Sequence, residues 1–148
     1  MPQAFYSMVL DHGADDVWTV IRPFDHYAWA GVEAETVIED GKASDQVGAV
    51  RRVDTGERII RQQLLAHSDR ARSYTYAMCE PSPFPVRDYV ATIRVLPVVA
   101  DDRAFVEWSA TFDCAPDERA RWLEQFERKG FAVWLAALRR FMQAGRRA

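Results

Sequence analysis

A glycine stands where the longest apolar stripe of the chain ought to be most tightly packed. Residues 117 to about 144 read as an amphipathic helix, and at about 100° per residue Leu123, Phe126, Trp134, Ala137 and Phe141 project within a narrow sector around Gly130. Glycine there costs roughly 1 kcal/mol relative to alanine and leaves the core empty where a side chain would sit. The simplest reason to accept that loss is space. Either another backbone packs against Gly130, or a hollow lies beneath it, and the elements that face the helix decide between the two.

At 148 residues the chain is expected to form one domain over residues 1–148, large enough to bury a core without disulfide or metal support. Its 19 basic and 22 acidic residues are interspersed and sum to −3, so no broad positive surface invites nucleic acid, although Arg51, Arg52, Arg58 and Arg61 cluster locally. Cys79 and Cys114 have no CxxC or Cys/His spacing, and no charged-then-apolar leader precedes the first strand-like segment, which points to a reduced, cytoplasmic protein without a metal. Charge interrupts every apolar run, so stable membrane insertion is not expected.

The alternation of residue types predicts a strand at 3–10, a short helix near 15–21 capped by Asp15 or Asp16, and a second short helical turn at 25–29. Strands follow at 32–39, 47–54, 57–67, 72–79, 86–98 and 105–114, then the long helix. One strand, two short helices, six strands and a long helix is the order of an α+β domain with a curved antiparallel sheet wrapped on a helix. In the last strand Val106, Trp108, Ala110 and Phe112 form the apolar face. A two-residue turn at Thr55-Gly56 would set Asp54 opposite Glu57. Ala49, Arg51 and Val53 then share an inner face with Arg58, Ile60, Gln62 and Leu64. Arg51 and Gln62 would lie one pleat step apart on the diagonal. By the same parity Tyr74, Tyr76 and Met78 go together, as do Tyr89, Ala91, Ile93 and Val95. The interior is therefore expected to hold three tyrosine hydroxyls, an amide and a guanidinium.

The stretches VGAVRRV (47–53), RQQLLAHSD (61–69), SYTY (73–76), PVRDYVATIRV (85–95) and VEWSATF (106–112), followed by a helix with a central KGF, resemble the START-like (SRPBCC) superfamily. Within it they resemble the polyketide cyclase/dehydrase and lipid-transport branch, which is related to Bet v 1-like allergens and plant hormone receptors. The resemblance runs from Trp18 to the final helix. It implies a helix-grip fold: a seven-stranded curved antiparallel sheet around a long C-terminal helix, two short helices after the first strand, and a cavity for an apolar ligand. In the related receptors, positions matching Arg51, Gln62, Tyr74, Tyr76, Tyr89 and Ala91 lie at or near the ligand. The receptors' proline-containing gate is missing here, where only Asp54-Thr55-Gly56-Glu57 joins two strands, so gating of that kind is not implied. The loop 81–87, stiffened by Pro81, Pro83 and Pro85, is expected to lie over the mouth with Phe84 as a plug.

The expected ligand-lining set is Arg51, Gln62, Tyr74, Tyr76, Tyr89, Ala91, Trp108, Phe126, Gly130 and Trp134. A buried arginine needs acceptors, and no inward carboxylate is evident, so Arg51 either anchors a ligand or snorkels to solvent. No nucleophile with a paired base, Gly-rich phosphate loop or carboxylate dyad is visible, and the catalytic residues stay unknown. His12, His26 and His67 are expected to face solvent, with His26 a weak candidate acid or base. The reading that follows is a cofactor-free binding protein for a hydrophobic small molecule such as a lipid or polyketide. Its alternative is an aromatase, cyclase or dehydratase using the same cavity. Phe131, Leu135, Leu138 and Met142 fall on the other flank of the helix and are expected to pack under the first helices or sheet edge, with a homodimer contact as the exception.

Overall fold

A computed structural model describes residues 1–32 and 34–147. Strand β1 (Gln3–Leu10) leads into helix α1 (Ala14–Ile21) and a 3₁₀ turn at Ala28–Ala30, then β2 (Glu35–Ile38), β3 (Val50–Asp54), β4 (Ile59–Ser68), β5 (Ser73–Met78), β6 (Arg87–Val98) and β7 (Arg103–Asp113). The chain closes with α2 (Arg119–Phe126), a π-helical turn at Glu127–Phe131 and α3 (Ala132–Arg147). The strands form one curved antiparallel sheet in the order β1-β7-β6-β5-β4-β3-β2, gripping the C-terminal helical segment. The expected strand at 32–39 is shorter than its alternation implied, and its residue 33 lies outside the described residues.

The first helix starts differently from the sequence expectation. Gly13, not Asp15 or Asp16, is the N-cap residue, and no side chain caps the helix. A Cβ at Gly13 would meet Asp102 Oδ1 at 3.2 Å, so the residue lets α1 approach the turn between β6 and β7. Asp15 instead accepts a hydrogen bond from Arg72 Nε at 2.7 Å. Of the two short helices expected after β1, the second is only the 3₁₀ turn, whose Trp29 is nevertheless buried.

Face parity along the central strands follows the alternation. Val106, Trp108, Ala110 and Phe112 are buried, as are Tyr74 with Tyr76, and Tyr89 with Ala91, Ile93 and Val95. The C-terminal helix departs from a single stripe. Trp122 and Phe126 face inward before the π-turn, and Phe131, Leu135 and Leu138 face inward after it, whereas Phe141 is 40% exposed and Trp134 half-buried. The step from 126 to 131 is five residues. One extra residue in that turn rotates everything after it by about 100°, and the apolar set that a straight helix places on a flank becomes the core face. Phe131 stacks on Trp108 with ring centroids 4.9 Å apart. Phe131, Leu135 and Leu138 of that flank thus pack within the chain, with Met142 partly buried against the same core.

The same turn secures the sheet edge. Glu127 Oε2 accepts the Phe5 backbone N–H of β1 at 2.8 Å, and Arg139 Nη2 donates to the Val9 carbonyl at 3.1 Å. These side chains take up polar groups along an edge strand that would otherwise be open to pairing. Because the π-turn decides which residues reach the core, Phe131→Ala should destabilise the fold by about 3–5 kcal/mol and Phe141→Ala by about 1 kcal/mol or less. Urea denaturation of the two variants checks the order, which a straight helix would reverse.

Candidate functional site

Between the inner face of the sheet and the α2–α3 segment lies a cavity of about 180 Å³. Val53 and Ile60, Tyr76 and Met78, and Tyr89 supply one wall from β3 to β6, with Phe126, Gly130 and Trp134 opposite. Tyr27 and Val32 close one side, and Phe84, Thr55 and Lys129 stand toward solvent. Gln62 is the polar group on the strand wall that is not a phenol.

Gly130 resolves neither as a backbone contact nor as a simple hollow. A Cβ there would lie 3.3 Å from Trp134 Cη2 and Cζ3 and 3.4 Å from the Gln125 carbonyl oxygen. Helical side chains lean back over the preceding turn, and the Trp134 indole takes the space that Gly130 leaves. The glycine therefore seats a tryptophan, and both residues line the cavity.

The structure brings Gln62, Tyr76, Tyr89, Phe126, Gly130 and Trp134 to the cavity and sets Arg51, Tyr74, Ala91 and Trp108 outside its lining. Ala91 pairs with Tyr76 and Ala110 in the sheet, and Trp108 is covered by Trp29, Phe131 and Trp134. Tyr27, Val53, Met78 and Phe84 are lining residues outside the expected set. Val53, Met78 and Phe84 were legible from strand parity and the proline loop, while Tyr27 lies in a segment with no periodic signal.

Arg51 does not snorkel. It is fully buried, donates from Nε to Gln62 Oε1 at 2.7 Å and from Nη1 to the Phe24 carbonyl at 3.2 Å. Its guanidinium lies 4.2 Å from the Phe24 ring centroid, 4.5 Å from Tyr27 and 4.9 Å from Tyr76. The Tyr74 hydroxyl also acts on the guanidinium, yet Nη2 has no partner in hydrogen-bonding geometry. The Arg51–Gln62 contact is more direct than the diagonal expected. The β3–β4 connection is a four-residue loop in which Asp54 pairs with Ile59, so Arg51 stands opposite Gln62. Within it the Thr55 N–H bonds the Arg58 carbonyl and Asp54 Oδ1 accepts from the Gly56 N–H. A shift of two residues preserves the inward face, which is why parity held although the register moved.

Burial works against the Arg51 charge, but Tyr74, Tyr27 and Tyr76 favour it, and the balance leaves the guanidinium more basic than usual. At Tyr27, Tyr74, Tyr76 and Tyr89 the outcome is also upward: burial raises each phenol, and the pull of Arg51 is too weak to reverse it. All four are neutral donors at neutral pH. Tyr76 in addition accepts from Trp108 Nε1 at 3.2 Å.

The histidines are less exposed than expected. His12 is buried, and the His67 side chain is 8% exposed, lying beside the Trp18 ring at 5.5 Å with Nε2 3.1 Å from Asp69. Asp69 also accepts from Trp18 Nε1 and both Arg22 Nε and Nη2, and these bonds hold its carboxyl below the usual range. This cluster ties α1 to the sheet. None of the three histidines lines the cavity, and His26 packs 6.0 Å from Phe141. Among the described residues no group of three or more His, Cys, Asp or Glu is placed to hold a metal ion. No helix among them is long and apolar enough to cross a membrane.

The sequence profile described as polyketide cyclase/dehydrase and lipid transport matches residues 1–147. A solution structure from Thermobifida fusca is 33% identical, aligned over 94% of this chain and 91% of that one, with a TM-score of 0.82. A protein of Nitrosospira multiformis is 26% identical over 99% of this chain and 100% of its own, with a TM-score of 0.81. The di-domain ARO/CYC BexL of the BE-7585A biosynthetic pathway shares the fold at 17% identity and a TM-score of 0.78, over 97% of this chain and 47% of that one. No curated protein matches the sequence.

Each buried phenol holds its proton more tightly in the folded chain than in the unfolded one. The stability this contributes is present below the unfolded value of about 10 and is lost as pH rises through the folded values. Stability should therefore fall as pH climbs above about 10, with Tyr27, Tyr74, Tyr76 and Tyr89 ionising late; ultraviolet titration alongside urea melts checks both.

Proposed function

The chain belongs to the polyketide cyclase/dehydrase and lipid-transport family, and from that membership and its cavity we propose that it binds a hydrophobic small molecule between sheet and helix. The observation that carries this reading is the pairing of a mostly apolar cavity wall with a few neutral polar groups, the amides of Gln62 and Gln125 and the phenols of Tyr27, Tyr76 and Tyr89. Such a site holds an apolar body and orients it by one or two hydrogen bonds. It is poor in proton-transfer groups, because the phenols are pushed away from useful basicity and no carboxylate or histidine among the described residues lines the cavity. Phe84 supports a lid role for the loop at 81–87. It lines the cavity, contacts Trp122 at 5.9 Å and Phe126 at 6.0 Å, and lies under the Arg58 guanidinium at 5.1 Å. Two unpaired cysteines support a reduced, cytoplasmic setting.

A polyketide cyclase or dehydratase is the second reading, favoured by the family description and by the placement of Tyr89 and Gln62 on the cavity wall. In that case a phenol would donate to a substrate carbonyl, and its proton would have to return by way of solvent.

Gly130→Leu tests the cavity itself. The new side chain displaces Trp134 from its seat and fills the hollow, while the helix gains roughly 1 kcal/mol of intrinsic preference. Binding of the neutral apolar probe N-phenyl-1-naphthylamine should weaken by about tenfold or more with the melting temperature kept within a few degrees. Unchanged probe binding would count against a ligand site here. The two readings separate at Tyr89: under the binding reading Tyr89→Phe shifts affinity by about 1–3 kcal/mol at most, and linear poly-β-keto mimics emerge unchanged. Under the enzyme reading chromatography shows a cyclised or dehydrated product whose formation drops by about a hundredfold or more in that variant.

A further inference from the structure

Arg51 is a buried cation with no carboxylate beside it among the described residues. The groups that face it are Phe24 and Tyr27 from the segment after α1, Gln62 from β4, and Tyr74 and Tyr76 from β5, none of them a carboxylate. Three rings offer their negative faces, which offsets part of the desolvation, yet Nη2 stays unpartnered. Arginine only donates, so the Gln62 amide must turn its oxygen to Arg51 Nε and keep its NH₂ group for something else. Among the described residues no acceptor takes that NH₂, and Gln62 is on the cavity wall. Among the described residues the one charged residue lining the cavity is another cation, Lys129. Among the described residues the charged group on the cavity wall and the one directly behind it, Lys129 and Arg51, are thus both positive, and the wall carries donors at the end nearest Arg51.

We propose that the cavity takes an amphipathic oxygen acid bound as its anion, with an apolar body against Tyr76, Met78 and Phe126 and a carboxylate or phenolate oxygen at Gln62. Arg51 is the countercharge one layer behind, acting through the amide it orients, and is a positioning residue that does not touch the ligand. This rests on the ligand-binding reading above and adds the chemistry of the head group. A positive charge in a low-dielectric wall stabilises an anion placed near it and lowers the affinity for its proton, even without direct contact.

The test compares 2-naphthoate with the neutral 2-naphthamide by calorimetry and follows the ionisation of bound 2-naphthol by absorbance. Wild type should bind the naphthoate about tenfold or more tighter than the amide, and bound naphthol should ionise at least about one pH unit below free naphthol. Arg51→Lys should keep the preference and Arg51→Met should reduce it to within about threefold. A ratio near one in wild type overturns the proposal, as does a full ratio in folded Arg51→Met. If Arg51→Met does not fold, the wild-type ratio, the naphthol shift and their loss in Gln62→Met decide it. Amide binding without an acid preference removes the head-group assignment alone, whereas failure of all three probes and of N-phenyl-1-naphthylamine removes the ligand-binding reading with it. Naphthoate preferred without a naphthol shift would reject the phenolate arm and keep the carboxylate.

Discussion

A single additional residue in the turn at Glu127–Phe131 governs how the C-terminal segment meets the sheet. A straight α-helix could present one stripe, and the stripe centred on Gly130 would turn Trp134 and Phe141 inward while leaving Phe131, Leu135 and Leu138 to the side. The π-turn breaks that phase. Trp122 and Phe126 pack at one end and Phe131, Leu135 and Leu138 at the other, with Gly130 at the junction beside the cavity. The extra residue also brings Glu127 to the free N–H of Phe5, so the irregular turn is bonded to the edge of the sheet it faces. Helix irregularities of this kind are held only where the packing on both sides over-determines them, and here the Trp108–Phe131 stack and the Phe112–Phe126 contact do so.

The cavity exists because these two packed ends leave the middle incompletely filled. Its walls are mostly rings and aliphatic chains, and its polar groups come in a graded order: neutral phenols and the amides of Gln62 and Gln125 at the surface of the hollow, a guanidinium behind Gln62. Burial decides the protonation of that layer. It outweighs Arg51 at every tyrosine, so the site supplies donors and a fixed charge instead of a base. That chemistry suits recognition of an acceptor, and it makes proton abstraction the hardest step to build from these residues.

Membership of the family and the shared fold leave the reaction open, since one cavity architecture serves carriers and enzymes alike. The discriminating features are local to this chain: Gln62 held by Arg51, Trp134 seated on Gly130, and Phe84 at the mouth between Arg58 and the α2 aromatics. Under the proposed ligand-binding reading they set what fits and with which end inward.

Alternation in sequence was sufficient to assign the inner faces of the central strands, because a strand has period two and an even error in register changes no face. That is how Arg51 and Gln62 are legible as inward partners although alternation alone implies a loop between them two residues shorter than it is. The order of segments likewise pointed to a curved antiparallel sheet wrapped on a helix, and the family resemblance implied the helix grip. What tertiary structure alone decided was everything that depends on a non-integral step or a contact between distant segments. The phase change in the last helix, the indole over Gly130, the burial of His12 and His67, and the entry of Tyr27 into the cavity wall belong here. So does the withdrawal of Arg51 into an aromatic cage. Periodicity assumes uniform turns and records only which side a residue faces. How deep it sits, and what closes over it, is settled when the sheet curls and the helix is held against it.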